Sequence, residues 1–321
     1  MATSILRILC VALLGKEASG VNVAIPLIAP STAPRVSPSL FSFSIEQDRW
    51  TDWAGSTSRN QFLFNTLDNL ARLTGAPPDI RIGANSEDHT KFKAAIQTTQ
   101  SSLLGMRFIR QLNFFHLTLT LYGFVQEWTY FATNISAAMG ISSTSHTKFW
   151  GVAFAGAQSS HSLTGWSPQS AFKEGLLNSA AGSLISTVSQ HHYSGSFCSG
   201  NAGLLQDLMT KSTIRANLSL YLPDIAATRG RGLDYVLGET NSYSCHGAPG
   251  VSNSADAALW RLDYALYATQ IGISKVFFHQ GVGFKYNHIQ PATLTRSTAD
   301  GSDLPWPLPP HVQPAYYGAI T

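Results

Sequence analysis

The chain has 321 residues, 44% of them hydrophobic and only 12% charged, with a formal net charge of +3. This composition excludes a disordered segment and suits a wide buried core. No lysine or arginine run interleaves with aromatic residues, so the sequence carries no nucleic-acid footprint.

The first twenty residues read as a signal peptide. Arg7 precedes the apolar run "ILCVALLG", and "EASG" supplies small residues for cleavage, although Lys16 and Glu17 cut the run short. The alternative is a buried N-terminal strand or helix. No later run is long and apolar enough to span a bilayer, so the expectation is a secreted, extracellular protein with no membrane partner. The sequons at Asn134 and Asn217 are compatible with that route. Residues 21–39, rich in Pro, Ser and Ala, read as an extended lead-in, and 40–321 as one domain.

Within that domain strands and helices alternate. "LFSFSIE" (40–46) predicts a strand ending in Glu46. "NQFLFNTLDNLARLTG" predicts a helix with Leu63, Leu67, Leu70 and Thr74 on one face and Gly75 as its stop. "PPDIRIGAN" (77–85) is a second strand and "FWGVAFAG" (149–156) another. "SPQSAFKEGLLNSAAG" is a helix capped by Ser167 with Pro168 in its first turn. "STVSQHHY" (186–193) is a strand, "GLLQDLMTKSTIRANL" a helix, and "LDYVLGE" a strand followed by a loop of small and polar residues. "SNSADAALWRLDYALYATQIG" is a helix with Leu259, Leu262 and Leu266 on one face, and "SKVFFHQG" (274–281) a last strand. This alternation implies a parallel sheet in an α/β fold, with a length suited to a (β/α)8 TIM barrel. An open doubly wound sheet is the weaker alternative, because no Gly-rich phosphate loop follows an early strand.

In such a barrel the chemistry sits at the C-terminal ends of the strands. Those ends carry Glu46; Asn85, Glu87 and Asp88; His192 and Tyr193; Glu239; and His279 and Gln280. Glu239, after an apolar run, is placed like the nucleophile of a retaining glycosidase, which uses two carboxyl groups about 5–5.5 Å apart. Tyr193 either orients that carboxylate or lies as an aromatic lid over the core. Of the three cysteines, Cys10 lies in the leader. Cys198 and Cys245 remain as a possible disulfide or as two buried thiols.

Together "SFSIEQDRW", "DIRIGANSEDH", "SQHHYSGSFCSG", "GETNSYSCHGAPGVSNS", "ALWRLDYAL" and "FFHQGVGFKYNHIQP" resemble glycoside hydrolase family 79. The likeness is to fungal β-glucuronidases and, more distantly, to heparanases. It covers most of residues 38–92 and 124–318. The resemblance implies a (β/α)8 barrel, retaining chemistry, no cofactor, and a glycan or glycoside ending in β-linked glucuronic acid as partner. It implies Glu239 as nucleophile and Tyr193 as the tyrosine orienting it. The loop from Tyr243 through Gly247 to Gly250 would close over the sugar carboxylate. Glu46, Asn85 and Asp88 would contact sugar hydroxyls; the strand-end residues His192, His279 and Gln280 are further candidates for substrate binding by their position. It also makes the Cys198–Cys245 pairing plausible.

The sequence departs from that family in two places. The family's acid/base glutamate follows an asparagine at the end of the fourth strand, and no Asn-Glu pair exists in this chain. Residues 86–123 would have to hold two helices and two strands, although one βαβ unit takes roughly 30 residues. Glu127 lies inside a predicted helix, and Glu87 on the wrong strand. The expectation is therefore a barrel incomplete around strands 3–4. The C-terminal β-sandwich of the family is also expected to be missing, which would leave "VNVAIP" unpaired. Three other readings stand beside an active glycosidase: a sugar-binding pseudoenzyme, a non-functional shortened product, and a metal hydrolase using His192, His246 and His279.

Overall fold

A computed structural model describes residues 26–83, 108–110, 120–155, 161, 165–201, 203–298 and 300–320. The leader, most of "VNVAIP" and the candidates Asn85, Glu87 and Asp88 lie outside the described residues. The chain divides into two compact units, Met1–Ala33 and Pro34–Thr321. In the first, the described stretch 26–33 makes a turn closed by the Ala33 N–H donating to the Pro30 carbonyl at 2.9 Å.

The second unit is built on a seven-stranded parallel sheet: β1 (Phe41–Glu46), β2 (Ile80–Gly83), β3 (Phe108–Arg110), β4 (Phe149–Phe154), β5 (Ile185–Ser196), β6 (Asp234–Ser244) and β7 (Lys275–Gln280). Its order is β3-β2-β1-β7-β6-β5-β4. An open doubly wound sheet would ascend outward from β1 on both sides. Here the first and last strands pair, Phe43 opposite Phe278, and the order descends from β7 to β4. That is the cyclic order of a barrel cut between β3 and β4, and no strand joins those two edges among the described residues. Among the described residues the fold is thus an incomplete (β/α) barrel, open between β3 and β4.

The strands sort their side chains by alternation. Phe43, Ile45 and Ile80 point outward and pack with Trp50, Trp53, Leu63, Leu67 and Leu70. Val188, Leu237, Val276 and Phe278 likewise pack against Trp128, Ile214, Leu218, Trp260 and Tyr264. Each buried leucine contributes about 1.5–3 kcal/mol. The helix Gln61–Thr74 begins where the Asn60 side chain accepts from the Leu63 N–H, and ends at Gly75, whose φ of 87° few other residues tolerate.

Several expected elements differ in extent. The helix starting at Pro168 stops at Lys173, because Gly175 turns into the left-handed region at φ 91°. The helix expected around 203–218 is two, Leu205–Met209 and Lys211–Ser219, broken at Thr210. β6 does not end at Glu239 but runs through "TNSYS" to Ser244, paired with β5 as far as Ser196. In the helix Ala255–Gln270 the leucine face turns outward, with Leu259 57% and Leu266 44% exposed. Its buried face is Trp260, Arg261, Tyr264, Ala265 and Ala268. Between β7 and the last helix, Pro314–Ala319, lie two small antiparallel pairs: β8 (Ile289–Gln290) with β11 (His311–Val312), and β9 (Leu294–Arg296) with β10 (Asp303–Leu308).

Candidate active site

Glu239 reaches the barrel mouth through an irregularity in β6. Leu237 pairs with Gln190 on β5, yet His191 pairs with Glu239, so β6 carries one residue more than its neighbour. The same surplus shows against β7, where Leu237 and Thr240 oppose Val276 and Phe278. The extra residue is Gly238, and a bulge of this kind re-aims the side chain that follows. Glycine gives room there: a Cβ would meet the Ser189 hydroxyl, forcing that side chain to shift, and lie 3.4 Å from the Trp150 ring.

Two strands supply the partners of the carboxylate, and two more support them. The Tyr193 hydroxyl, from β5, donates to Glu239 Oε1 at 2.8 Å. Arg81 Nη1, from β2, donates to Glu239 Oε2 at 2.9 Å and to Ser44 Oγ, on β1, at 2.6 Å. His191 Nδ1 stands 3.9 Å from Oε2. From β7, His279 Nε2 lies 3.2 Å from Glu46 Oε1, and its Nδ1 lies 3.4 Å from Ser44 Oγ. The Tyr286 hydroxyl bonds to that of Tyr193.

Burial alone would raise the pKa of Glu239. The charges of His279, His191 and Arg81, with the Tyr193 hydrogen bond, outweigh it and hold the carboxyl well below the ordinary range. Burial would likewise depress His279, but Glu239 and the hydrogen bond to Glu46 raise it above its ordinary value. For His191 burial wins over the attraction of Glu239, and its pKa falls to about 4. Burial, and then the Glu239 charge, push Tyr193 well above 10.0, so it remains a donor. The result is an ionised carboxylate, fixed through both oxygens, at the bulge within β6.

Of the residues singled out from the sequence, Glu46, Tyr193, Glu239 and His279 come together here. Gly247 borders the cluster: its φ is 87°, and a Cβ there would lie 2.9 Å from Tyr286 Cδ1. Two others face elsewhere. His192 points to the opposite side of β5, where its Nδ1 lies 2.7 Å from the Tyr264 hydroxyl and its ring stacks on Tyr264 at 5.7 Å. The Gln280 side chain is consumed by the protein: its amide nitrogen donates to the His279 carbonyl at 2.8 Å, and its oxygen accepts from the His288 N–H at 2.7 Å. It ties β7 to the segment leading into β8. Tyr243 packs its ring in the space left by Gly195 and Gly203. With His192 turned away, His192, His246 and His279 do not form a metal site, and no group of three or more ligating side chains is placed for one among the described residues.

Cys198 and Cys245 form a disulfide that joins the end of β5 to the turn after β6, with Cα atoms 5.1 Å apart. That turn has three successive left-handed residues, Cys245 (φ 59°), His246 (φ 71°) and Gly247. The His246 ring stacks on Phe284 at 4.0 Å.

Four site residues were missed in the sequence: Ser44, Arg81, His191 and Tyr286. Alternation held the signal for three. Arg81 is a charge between two isoleucines of a strand, Ser44 lies two residues before Glu46, and His191 lies two before Tyr193. Tyr286 follows β7 in a loop, where no periodicity could mark it.

Fold and site together define an incomplete α/β barrel that holds an ionised carboxylate between Tyr193 and Arg81. Comparison with known proteins narrows this. The chain is 25% identical over 364 residues to a β-glucuronidase of Neurospora crassa, covering 90% of this chain and 65% of that protein. To a β-glucuronidase of Aspergillus niger it is 26% identical, covering 91% and 67%. The chain thus spans about two thirds of the length of these curated relatives. Among solved structures, a 4-O-α-L-rhamnosyl-β-D-glucuronidase of Fusarium oxysporum superposes with a TM-score of 0.67 at 19% identity, covering 92% of this chain and 71% of that one. A family 51 α-L-arabinofuranosidase of Bifidobacterium longum gives 0.55 at 11% identity, covering 90% and 73%. These structures share the fold. No protein-family profile matches the chain, and no helix among the described residues is long and apolar enough to cross a membrane.

Proposed function

We propose that the protein is a glycoside hydrolase of the β-glucuronidase type, with Glu239 as nucleophile and glucuronic-acid-ended glycans or glycosides as substrates. The observation that carries this reading is the clamp on Glu239. One oxygen is held by Tyr193 at 2.8 Å and the other by Arg81 at 2.9 Å, which keeps the carboxylate charged and in line. An ionised, oriented carboxylate is what attack on an anomeric carbon requires. The likeness to two fungal β-glucuronidases supports a glucuronide as the sugar.

In this reading Tyr193 orients the nucleophile, while Glu46 and His279 meet the sugar hydroxyls. Asn85 and Asp88 belong with them by resemblance. The turn through Gly247 faces the sugar carboxylate, and the disulfide holds that turn. The chain contains no Asn-Glu pair, and we assign no general acid. Loss of such a group costs about 10²–10⁴-fold, least for leaving groups that need no proton. The preferred substrates are therefore glucuronides with acidic leaving groups, such as phenols.

The missing Asn-Glu pair also favours a second reading, a binder that holds glucuronides without turnover. One experiment separates the two. The protein is incubated with a 2-fluoro-glucuronosyl fluoride, which needs no acid to leave, and its peptides are weighed. A fluoroglucuronosyl adduct on the peptide containing Glu239 supports the hydrolase. Saturable glucuronide binding with no adduct supports the binder, and neither adduct nor binding overturns both.

A further inference from the structure

One fully buried cation takes no direct part in the clamp on Glu239. Arg261, on the helix Ala255–Gln270, is 0% exposed. Among the described residues no carboxylate pairs with it. Burial pulls its pKa down to about 9. Its Nη1 donates to the Ala257 carbonyl, one turn back on its own helix, at 3.2 Å. Its Nη2 bridges two distant segments, donating to Asn241 Oδ1 on β6 at 2.9 Å and to the Tyr286 carbonyl at 2.6 Å. Its Nε has no hydrogen-bond partner among the described residues. The Trp260 and Phe278 rings flank the guanidinium, with centres 5.7 and 5.9 Å from Cζ.

A buried guanidinium without a counter-charge gives up its hydration, and an apolar side chain of similar volume often fills such a place as well or better. What arginine adds is direction, because its rigid planar fork fixes acceptors relative to one another. The two acceptors bridged by Nη2 belong to segments that shape the clamp. Asn241 lies two residues beyond Glu239 on the same strand. Its amide is oriented from the other side, with Nδ2 donating to the His279 carbonyl at 3.0 Å. Tyr286 lies in the loop after β7, and its hydroxyl bonds to that of Tyr193. The single hydroxyl proton of Tyr193 goes to Glu239 Oε1 at 2.8 Å, so Tyr286 is the donor to Tyr193. The contacts close a ring that runs from Glu239 along β6 to Asn241, then through Arg261, Tyr286 and Tyr193 back to Glu239. We propose that Arg261 is a positioning residue: by tying the Tyr286 backbone to β6 it holds the Tyr286 hydroxyl on Tyr193, and so directs the Tyr193 proton at the nucleophile. Its own hydrogen bonds to described residues stop at Ala257, Asn241 and Tyr286. The proposal rests on the glucuronidase reading and extends the nucleophile's support to a residue on the far side of the strand.

The test follows the first-order rate at which a saturating 2-fluoro-glucuronosyl fluoride labels Glu239 in the full chain, read by peptide mass. It is run at a temperature where cooperative melting shows each variant to be folded. Four proteins form a cycle: the parent, Arg261→Met, Tyr286→Phe and the double variant. Arg261→Gln takes the place of Arg261→Met if the latter does not fold, and Arg261→Lys is measured beside them because it keeps a donor. The expected result is a loss of about 10- to 100-fold in each single variant. The double variant should lose no more than the larger single loss, because both changes act through one hydroxyl. Arg261→Lys should recover part of the rate. Single losses that multiply in the double variant overturn the proposal, since Arg261 then acts otherwise than through Tyr286. So does a rate unchanged when Arg261 is replaced by Met or Gln, and in both cases the adduct on the parent leaves the glucuronidase reading in place. A parent that forms no adduct overturns that reading, and the proposal with it.

Discussion

Glu239 stands in register with His191 rather than with Gln190, because Gly238 inserts one extra residue into β6 between Leu237 and Glu239. This offset of a single residue turns the carboxylate toward Tyr193 and Arg81. Without the bulge, strict alternation would put Glu239 out of phase with the inward-facing His191 and Tyr193.

The bulge is therefore testable through its glycine. Gly238→Ala places a methyl group against Ser189 and Trp150. It should cost about 1–3 kcal/mol of stability in urea denaturation. Adding Ser189→Gly removes the nearer obstacle and should restore part of the loss. A variant as stable as the parent would show that the close approach is not tight.

Arg81 is fully buried and paired with Glu239. Replacing one member of a buried ion pair leaves the other uncompensated, so Arg81→Met should destabilise by about 3–5 kcal/mol. The double variant Arg81→Met/Glu239→Gln leaves neither charge and should recover much of that. Equal losses in the single and double variants would mean that packing, not charge, accounts for the effect.

Tyr193→Phe removes one hydrogen bond to an ionised oxygen. Such bonds contribute about 1.5–3 kcal/mol, so under the proposed glycosidase reading kcat/KM for an aryl glucuronide should fall about 10- to 100-fold. Melting should shift by only a few degrees. An unchanged rate would remove Tyr193 from the mechanism.

The pH dependence has two signs. The pKa of His279 is raised in the folded state, so its contribution to stability is complete below the unfolded value of 6.5 and is lost as pH rises through the folded value. The stability difference between the parent and His279→Gln should therefore shrink on the alkaline side. The pKa of Glu239 is lowered, so its contribution is present above the unfolded value of 4.5 and is lost as pH falls. The difference between the parent and Glu239→Gln should shrink on the acid side. Denaturation of the three proteins across pH would reveal either slope reversed.

The disulfide closes a loop with a sequence separation of 47. By the chain-entropy relation its removal in Cys198→Ser/Cys245→Ser should cost about 4 kcal/mol. Hydrogen exchange should rise first at 244–250, where Cys245 and His246 hold left-handed backbone. Unchanged exchange there would mean that the ring stack of His246 on Phe284 suffices.

Much of this was legible in the residues alone. Alternating strands and helices implied the α/β barrel, and the polar strand ends marked Glu46, Tyr193, Glu239 and His279. Those are local properties, set by period and composition. The short stretch 86–123 pointed to strands 3–4, and β3 and β4 are the two edges that stay unjoined among the described residues. What only the tertiary structure decided concerns direction and pairing across strands. The leucines of Ala255–Gln270 look like a core face, but the helix buries its Trp, Tyr and Ala face because those side chains fit against Phe278 and Tyr235. His192 and Gln280 sit at the right strand ends yet turn to the outer side, while Arg81 and His191 turn inward to the carboxylate. A sequence records which residues alternate, but not which side of the sheet closes into the barrel, nor where one glycine shifts the phase. Both depend on contacts between segments far apart in the chain.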